Sequence, residues 1–211
     1  ANNHMWDYGA DALEDTLTLL GANRIAPIGA GMNYEDANGA KRFALGDVRF
    51  AMFAFTNLMP RSLEATASHS GLSQFEPELM KQAIFNVQNQ VDIVIVSLHW
   101  GEEYQTRANE FQRKLGRELI NAGADLVVGH HPHVVQEVEE YNRPASANAP
   151  ARRGWIAYSL GNFVFDQGFS EETREGLMLE VTVREKKIEG IRKIPILMNK
   201  TFQPETVAFD F

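Results

Sequence analysis

The sequence predicts a mixed α/β domain in which helices cover a sheet, and three observations lead to this prediction. Near-continuous apolar segments at 48–55, 92–98 and 126–128 are typical of strands that are buried on both faces. Helix-length segments at 76–90 and 107–122 precede the second and third of these strands, so strands and helices alternate through the middle of the chain. The C-terminal part consists mainly of predicted strands.

Local signals predict the remaining elements. Leu13, Leu17 and Leu20 recur at helical spacing before Gly21, which predicts a short amphipathic helix at 11–20. The other predictions are a strand at 25–29, a polar helix or turn at 33–40, a loop at 57–75, strands at 134–138 and 154–159 around a loop rich in Pro, Ala and Asn at 142–150, and a hairpin of strands 176–184 and 187–196 that turns at Glu185 and Lys186.

The composition restricts the possible classes of function. A length of 211 residues and a hydrophobic content of 44% suit one globular domain, so residues 1–211 are predicted to form one. The net charge of −8 argues against a general nucleic-acid-binding protein, which normally has a basic face. Because the chain has no cysteine, it can have neither a disulfide nor a thiolate metal site. An anionic substrate remains compatible with this charge, since a bound metal ion can reverse the local field.

Most of the six histidines lie where predicted strands end. His99 directly follows the strand at 92–98, and His130, His131 and His133 follow the next strand after one glycine. Ligands of open α/β sheets bind beyond the carboxyl ends of the strands, and neutral imidazole binds zinc, iron and manganese. Three imidazoles within four residues are difficult to explain by packing, because each has two nitrogens that need partners. We therefore expect a metal site at this edge of the sheet.

The first residues offer a different chemistry. Asn3 can supply a neutral oxygen ligand, and His4 and Asp7 are three positions apart, so they would share one face of a helical turn. A carboxylate that bonds one imidazole nitrogen fixes the tautomer and raises the basicity of the other nitrogen. His4 would then be suited to donate a proton to a leaving oxygen. The alternative is that Asp7 caps a helix and His4 merely lies nearby.

Three further residues carry weaker signals. Glu103 follows the strand at 92–98 closely and could orient a ligand histidine or bind metal, or it could belong to a solvated acidic turn. Asn162 lies beyond the strand at 154–159 and could face the same edge, although Gly-Asn is also ordinary turn chemistry. His69 lies in a polar, Ser-rich segment and is predicted to be a loop residue.

Four segments together resemble the capsule-biosynthesis CapA/PgsA family: ANNHMWDYG at 1–9, SLHWGEEY at 97–104, VVGHHPHVVQ at 127–136 and IAYSLGNFVFDQ at 156–167. The resemblance implies a fold similar to the calcineurin-like metallophosphoesterases, a four-layer α/β/β/α sandwich. It also implies a part in poly-γ-glutamate capsule production or export, at the bacterial membrane with the main domain outside.

The resemblance further implies roles for the candidate residues. Asn3 and His4 resemble the metal-binding asparagine and the proton donor of a Gly-Asn-His-Asp/Glu block, although the acidic residue here is Asp7, three positions further on. The implied ligands of a divalent ion (manganese, zinc or iron) are Asn3, His99, His131 and His133, with His130 and His133 as an alternative pair. The residues expected to contact these ligands or the substrate are Glu103, His130 and Asn162.

The start of the chain departs from the family's parent pattern. The related fold takes an Asp-x-His and a Gly-Asp motif from its first strands, and Gly46-Asp47 has the wrong order and position to replace them. We therefore expect an N-terminally truncated domain of a longer, membrane-anchored envelope protein, with the first strands and their aspartates upstream of Ala1.

Two functions follow from these expectations. The first is metal-dependent hydrolysis of a phosphoester, or of an amide in an anionic polymer, in which metal ions would polarise the scissile group and supply hydroxide. The second is a non-enzymatic accessory subunit that binds the polyglutamate synthase or the nascent polymer through the same pocket. Nucleic acid is not expected as a partner.

Overall fold

The computed structural model describes residues 2–145 and 151–208. The predicted loop at 142–150 therefore falls partly outside the described residues. Strands and helices alternate through the middle of the chain and strands dominate its end, which confirms the predicted α/β class. None of the helices within the described residues is long and apolar enough to cross a bilayer.

The chain divides into two compact units. The first comprises Ala1–Trp100 with Ala122–Ala124, and the second comprises Gly101–Asn121 with Asp125–Phe211. Each unit combines helix with strands that pair in both parallel and antiparallel fashion. The expectation that residues 1–211 form one domain stays a prediction.

Among its described residues, the first unit contains a mixed sheet and three α-helices. Its elements in chain order are α1 (Gly9–Ala22), β1 (Ala30–Gly31), α2 (Tyr34–Asn38), β2 (Lys41–Leu45), β3 (Val48–Thr56), a 3-10 turn (Arg61–Leu63), β4 (Gly71–Leu72), α3 (Pro77–Val87) and β5 (Ile93–His99). β2 and β3 form an antiparallel hairpin, and β3 pairs in parallel with β5, from Phe50 opposite Ile93 to Thr56 opposite His99. β5 thereby includes His99, one residue beyond the predicted end of this strand at residue 98.

Helix α1 anchors the N-terminal turn. A small apolar cluster contains Leu13, Leu17, Ala30 and Leu72, with Met5, Trp6 and Met59 packed against it. Because Met5 and Trp6 lie between His4 and Asp7 in sequence, their packing holds the turn that carries both polar side chains.

The second unit has one α-helix and six strands among its described residues. Its elements are α4 (Glu110–Ala122), β6 (Leu126–His130), β7 (Val138–Arg143), β8 (Arg152–Ala157), a 3-10 turn (Glu172–Arg174), β9 (Glu175–Arg184), β10 (Lys187–Met198) and β11 (Pro204–Thr206). β6 pairs in parallel with β8, and β7 pairs antiparallel with β8. β9, β10 and β11 form an antiparallel sheet of their own.

The C-terminal hairpin turns where the sequence predicted. Arg184 of β9 lies opposite Lys187 of β10, which leaves Glu185 and Lys186 as a two-residue turn. Their φ angles of 50° and 62° are both positive, as a type I′ turn requires. This turn type matches the right-handed twist of the two strands and sets their register.

A capping box begins α4. Oδ1 of Asn109 accepts from the N–H of Gln112 at 2.9 Å, and Oε1 of Gln112 accepts from the N–H of Asn109 at 3.0 Å. Nε2 of the buried Gln112 donates to Oε1 of Gln136 at 3.0 Å. Nε2 of Gln136 in turn donates to the carbonyl of Gln105 at 2.7 Å. These bonds connect the start of α4 to Gln136, three residues after His133, and to Gln105.

Two predicted strands were wrong. Residues 25–29 are not a strand, and the nearest one is the two-residue β1. The segment at 134–138 is also irregular: Val135 forms only an isolated bridge with Leu160, and β7 begins at Val138. The side chain of Gln136 is occupied by the buried bonds to Gln112 and Gln105. β2, β4 and β11 were not predicted, and β4 lies within the predicted loop at 57–75.

Candidate metal centre

Three side chains of the second unit form a group that could hold a metal ion. One ligand atom from each of Glu103, His131 and His133 lies within 4.8 Å of the other two. With metal–ligand bonds of about 2.0–2.2 Å, neighbouring ligands of a tetrahedral ion lie about 3.4 Å apart, so the three atoms need to approach one another by no more than about 1.4 Å to share one ion. Two imidazoles and a carboxylate suit zinc, manganese or iron. Both histidines are half-buried, and Glu103 is exposed.

The backbone that carries this group is unusual. His131 and His133 have φ angles of 100° and 60°, in the left-handed region that residues other than glycine rarely occupy. Tyr104, next to Glu103, has a φ of 63°, and its N–H donates to the carbonyl of Pro132 at 2.8 Å. This bond ties the Glu103 segment to the residue between the two histidines. Left-handed residues cost on the order of 1–3 kcal/mol each and cluster at functional sites.

Asn162 fixes the tautomer of His133. Its Oδ1 lies 2.8 Å from Nδ1 of His133, and its Nδ2 donates to the carbonyl of Thr173 at 2.9 Å. A carbonyl can only accept, so the amide nitrogen faces Thr173 and the amide oxygen faces His133. Nδ1 of His133 therefore carries the proton, and its Nε2 has the lone pair that a metal ion requires.

Two glycines hold Asn162 in place. Gly161 has a φ of 66° and forms an antiparallel bridge with Gly176. A Cβ atom at Gly176 would lie 2.0 Å from the backbone oxygen of Asn162, so a larger residue fits there only if the chain moves. Asn162 is buried, which makes the bonds of its amide to His133 and Thr173 costly to lose.

A chain of hydrogen bonds continues from Asn162 to Tyr104. Nδ2 of Asn162 also donates to Oε1 of Gln167 at 3.3 Å, and Nε2 of Gln167 donates to the Tyr104 hydroxyl at 3.3 Å. The Tyr104 ring stacks beside the His133 imidazole with centroids 6.1 Å apart, and the Phe165 ring lies 5.2 Å from the same imidazole. Aromatic rings therefore border the histidine whose tautomer is fixed.

His130 has a different environment from its neighbours. It is the last residue of β6, and burial lowers its pKa to about 4, so the imidazole is neutral at neutral pH. Among the described residues, the possible ligand group contains His131 and His133, and the alternative pair of His130 and His133 does not occur in it.

In the first unit, Asn3 and His99 face one another. Nε2 of His99, at the end of β5, lies 2.9 Å from Oδ1 of Asn3. An amide oxygen can only accept, so Nε2 of His99 donates this hydrogen bond and must lose its proton before it can bind a metal ion. That both serve one site with His131 and His133 stays a prediction.

His4 and Asp7 form a second pair in the first unit. Nδ1 of His4 lies 2.8 Å from Oδ2 of Asp7. The side chains are 70% and 49% exposed, so the other ring nitrogen of His4 can exchange protons with solvent or a ligand. Asp7 is not a helix cap: α1 begins at Gly9, its cap position is Tyr8, and no side chain caps it.

The sequence placed Glu103 next to the metal ligands, whereas the structure brings its carboxylate into the possible ligand group itself. The sequence reasoning missed Tyr104 and Gln167. The sequence did contain one signal: the apolar segment FVF follows Asn162, although apolar side chains are unexpected in a solvated loop. In the structure, Phe165 of this segment is 41% exposed. His69 bonds neighbouring hydroxyls at 3.1 Å, as expected of a loop residue.

The chain matches a known family over most of its length. Residues 1–167 match the family described as bacterial capsule synthesis protein PGA_cap. The chain belongs to this family. It is 33% identical over 215 residues to the capsule biosynthesis protein CapA of Bacillus anthracis, a match that covers 100% of this chain and 50% of the relative. It is 34% identical over 197 residues to the PGA biosynthesis protein CapA of Bacillus subtilis (strain 168), covering 93% of this chain and 49% of the relative.

A more distant relative also matches part of the chain. A probable polyglutamine synthesis accessory protein of Mycobacterium tuberculosis (strain H37Rv) is 29% identical over 152 residues, covering 67% of this chain and 40% of the relative. The chain thus spans about half the length of the two Bacillus relatives that it matches.

Two solved structures are similar to this chain in fold. The NAD nucleotidase of Haemophilus influenzae aligns with a TM-score of 0.58 and 13% identity, covering 99% of this chain and 42% of that one. The 5'-nucleotidase precursor of Thermus thermophilus aligns with a TM-score of 0.57 and 18% identity, covering 97% of this chain and 39% of that one. This PGA_cap family member therefore has the metallophosphoesterase-like fold that its sequence predicted.

Proposed function

We propose that this chain acts in the biosynthesis or export of a bacterial poly-γ-glutamate capsule, and that it does so through a metal-dependent hydrolytic site. Membership of the capsule synthesis family and the names of the two Bacillus relatives support the biological role. The proposed substrate is a phosphoester or an amide of the anionic polymer.

The group of Glu103, His131 and His133 is the observation that carries the hydrolytic part of this proposal. Its nitrogen and oxygen donors fit manganese, zinc or iron, and the bond from His133 Nδ1 to Asn162 keeps Nε2 available. A bound divalent ion would supply Lewis acidity toward the scissile group and an activated water. Asn3 and His99, which are hydrogen-bonded to one another at 2.9 Å, are proposed as further ligands once Nε2 of His99 has lost its proton.

His4 is the proposed proton donor to the leaving group. Its contact with Asp7 holds a proton on Nδ1, so the proton that passes to the leaving group is the one on Nε2. The exposed nitrogen, Nε2, is then the one that exchanges a proton with a ligand. Asp7 orients His4 and takes no direct part in the reaction.

Metal titration tests the site directly. We expect stoichiometric binding of manganese or zinc by calorimetry, and His133→Ala should weaken it by more than the about 10–100-fold that loss of a supporting residue causes. His69→Ala is the matched control, because His69 is an exposed loop histidine bonded to nearby hydroxyls. Circular dichroism establishes that both variants fold. If the wild type binds neither metal, or if His133→Ala binds as well as His69→Ala, this site assignment is wrong.

The second candidate function is a non-enzymatic accessory subunit that binds the synthase or the nascent polymer. The name of the Mycobacterium relative, an accessory protein, favours it. Incubation of the metal-loaded protein with poly-γ-glutamate, followed by size analysis of the polymer, separates the two. Shortening that disappears in His133→Ala supports hydrolysis, whereas binding without any shortening supports the accessory role.

The proposed location is the bacterial cell envelope, where a capsule is assembled. A membrane anchor outside this chain belongs to the same proposal. Sequencing the gene upstream of the codon for Ala1 tests it, because an anchor needs an apolar stretch of about 20 residues or a lipid-attachment signal. An upstream sequence with neither feature would contradict the anchor.

A further inference from the structure

The hydroxyl of Tyr104 has a defined hydrogen-bond direction. The carbonyl of Thr173 forces Nδ2 of Asn162 to donate, and the same nitrogen donates to Oε1 of Gln167. Gln167 is thereby oriented with Nε2 toward Tyr104, at 3.3 Å from the hydroxyl oxygen. Because this oxygen accepts from an N–H, the hydroxyl hydrogen must point elsewhere.

Tyr104 is also held in an uncommon position. Its φ of 63° lies in the left-handed region, and its N–H is bonded to the carbonyl of Pro132. Its ring stacks beside His133 and meets the edge of Phe169, with centroids 6.1 Å and 5.1 Å away. The side chain is nevertheless 41% exposed, so packing alone does not account for the strained backbone.

The surface around Tyr104 is apolar and open. Phe165 and Phe169 are 41% and 66% exposed, and Phe165 borders the same imidazole as Tyr104. Exposed aromatic rings beside a group of possible metal ligands present hydrophobic area to whatever that group binds. A ligand that matches this surface combines an aliphatic stretch with an oxygen that accepts one hydrogen bond.

We propose that Tyr104 binds the substrate of the metal centre by donating its hydroxyl hydrogen to a carboxylate oxygen, while Phe165 and Phe169 contact the adjoining methylene groups. Gln167 is a positioning residue that acts through Tyr104. The inference rests on the proposed function, and its ligand class is an aliphatic chain bearing carboxylates, such as γ-linked glutamate. The side chains of Tyr104 and Gln167 are not needed to hold the metal ion.

The test compares two probes on the manganese-loaded protein. Tri-γ-glutamate carries both the carboxylates and the methylene groups that the proposed site would contact, whereas inorganic phosphate has no methylene group and probes the metal site. Tyr104→Phe keeps the stacked ring and should weaken tri-γ-glutamate about 10-fold, the effect of one hydrogen bond to a charged group at a partly exposed site. Phosphate and manganese affinities should stay within about 2-fold. Tyr141→Phe, on the edge strand β7, is the matched control and should change none of the three.

A double-mutant cycle tests the role of Gln167. Gln167→Met should weaken tri-γ-glutamate in the wild-type background and have no further effect in Tyr104→Phe, because its action passes through the hydroxyl. A purely structural role of Gln167 would give the same loss in both backgrounds and would overturn that part of the inference.

The remaining outcomes separate this inference from the proposed function. If manganese and phosphate bind but Tyr104→Phe binds tri-γ-glutamate as well as the wild type, the role of Tyr104 is refuted and the metal site stands. The same holds if tri-γ-glutamate does not bind at all. If the wild type binds neither manganese nor zinc, the proposed metal site and this inference are both refuted.

Discussion

Gly176→Ala should damage both the stability of the protein and its candidate metal centre. The new Cβ atom would lie 2.0 Å from the backbone oxygen of Asn162 and 3.2 Å from its backbone carbon. An ordinary van der Waals contact between these atoms is about 3.4 Å or more, so the backbone segments around Gly176 and Asn162 must separate by more than about 1 Å. The obstructing atoms belong to the main chain, and no rotamer change can relieve the contact.

The expected cost follows from this geometry. Overpacking a well-packed site by one carbon costs about 1–3 kcal/mol, and the rigid partner here places Gly176→Ala at the upper end of that range. For a domain of this size, a loss of about 3 kcal/mol lowers the melting temperature by roughly 6–12 °C. Displacement of Asn162 should also disturb its bond to His133 and weaken metal binding about 10–100-fold.

Gly190→Ala is the matched control. Gly190 lies in β10, and a Cβ atom there would meet nothing within 4 Å. The free energy of unfolding of Gly190→Ala, measured by urea denaturation, should stay within about 0.5 kcal/mol of the wild-type value. Equal urea midpoints for Gly176→Ala and Gly190→Ala would show that the bridge between Gly161 and Gly176 does not position Asn162 as described.

Two further predictions concern other parts of the second unit. Burial alone would raise the pKa of Glu137, but hydrogen bonds from the N–H of Ala108 and from Arg113 hold it below its ordinary value of 4.5. The folded pKa is the lower one, so this stabilisation is present above about pH 4.5 and is lost as the pH falls through the folded pKa. The urea midpoint of Glu137→Gln should therefore fall less than that of the wild type between about pH 5 and pH 3. Parallel curves for the two proteins would contradict this prediction. Lys186→Gly should stabilise the protein by about 0.5–1 kcal/mol, because relief of a left-handed residue, about 1–2 kcal/mol, exceeds the extra chain entropy of glycine. A lowered urea midpoint for Lys186→Gly would show that the Lys186 side chain contributes more than its backbone costs.

Elements specified by local pattern were predictable from the sequence. The apolar segments that became β3 and β5 were recognised because burial on both faces requires nearly every residue to be hydrophobic. The hairpin turn at Glu185 and Lys186 was recognised because two alternating segments are separated by two polar residues. Both signals lie within a few residues of the element that they specify.

The segment at 134–138 shows where local pattern fails. Its sequence, VVQEV, has three β-branched residues in five, which is typical of a strand, but strand formation also needs a partner along the whole length. Instead, the side chain of Gln136 bonds Gln112 of α4 and the carbonyl of Gln105, each more than twenty residues away. Which contact forms depends on distant parts of the chain, and the local sequence does not contain that information.

The sequence by itself determined which chemical groups are available and roughly where they lie along the chain: histidines after two buried strands, no thiolates, and a carboxylate close behind His99. Only the tertiary structure decided how those groups are used. It brought the carboxylate of Glu103 to His131 and His133, and through Asn162 it assigned the proton of His133 to Nδ1. The physical reason is that a ligand group and a tautomer depend on distances and hydrogen-bond directions between residues that are far apart in sequence, whereas hydrophobic periodicity acts between neighbours.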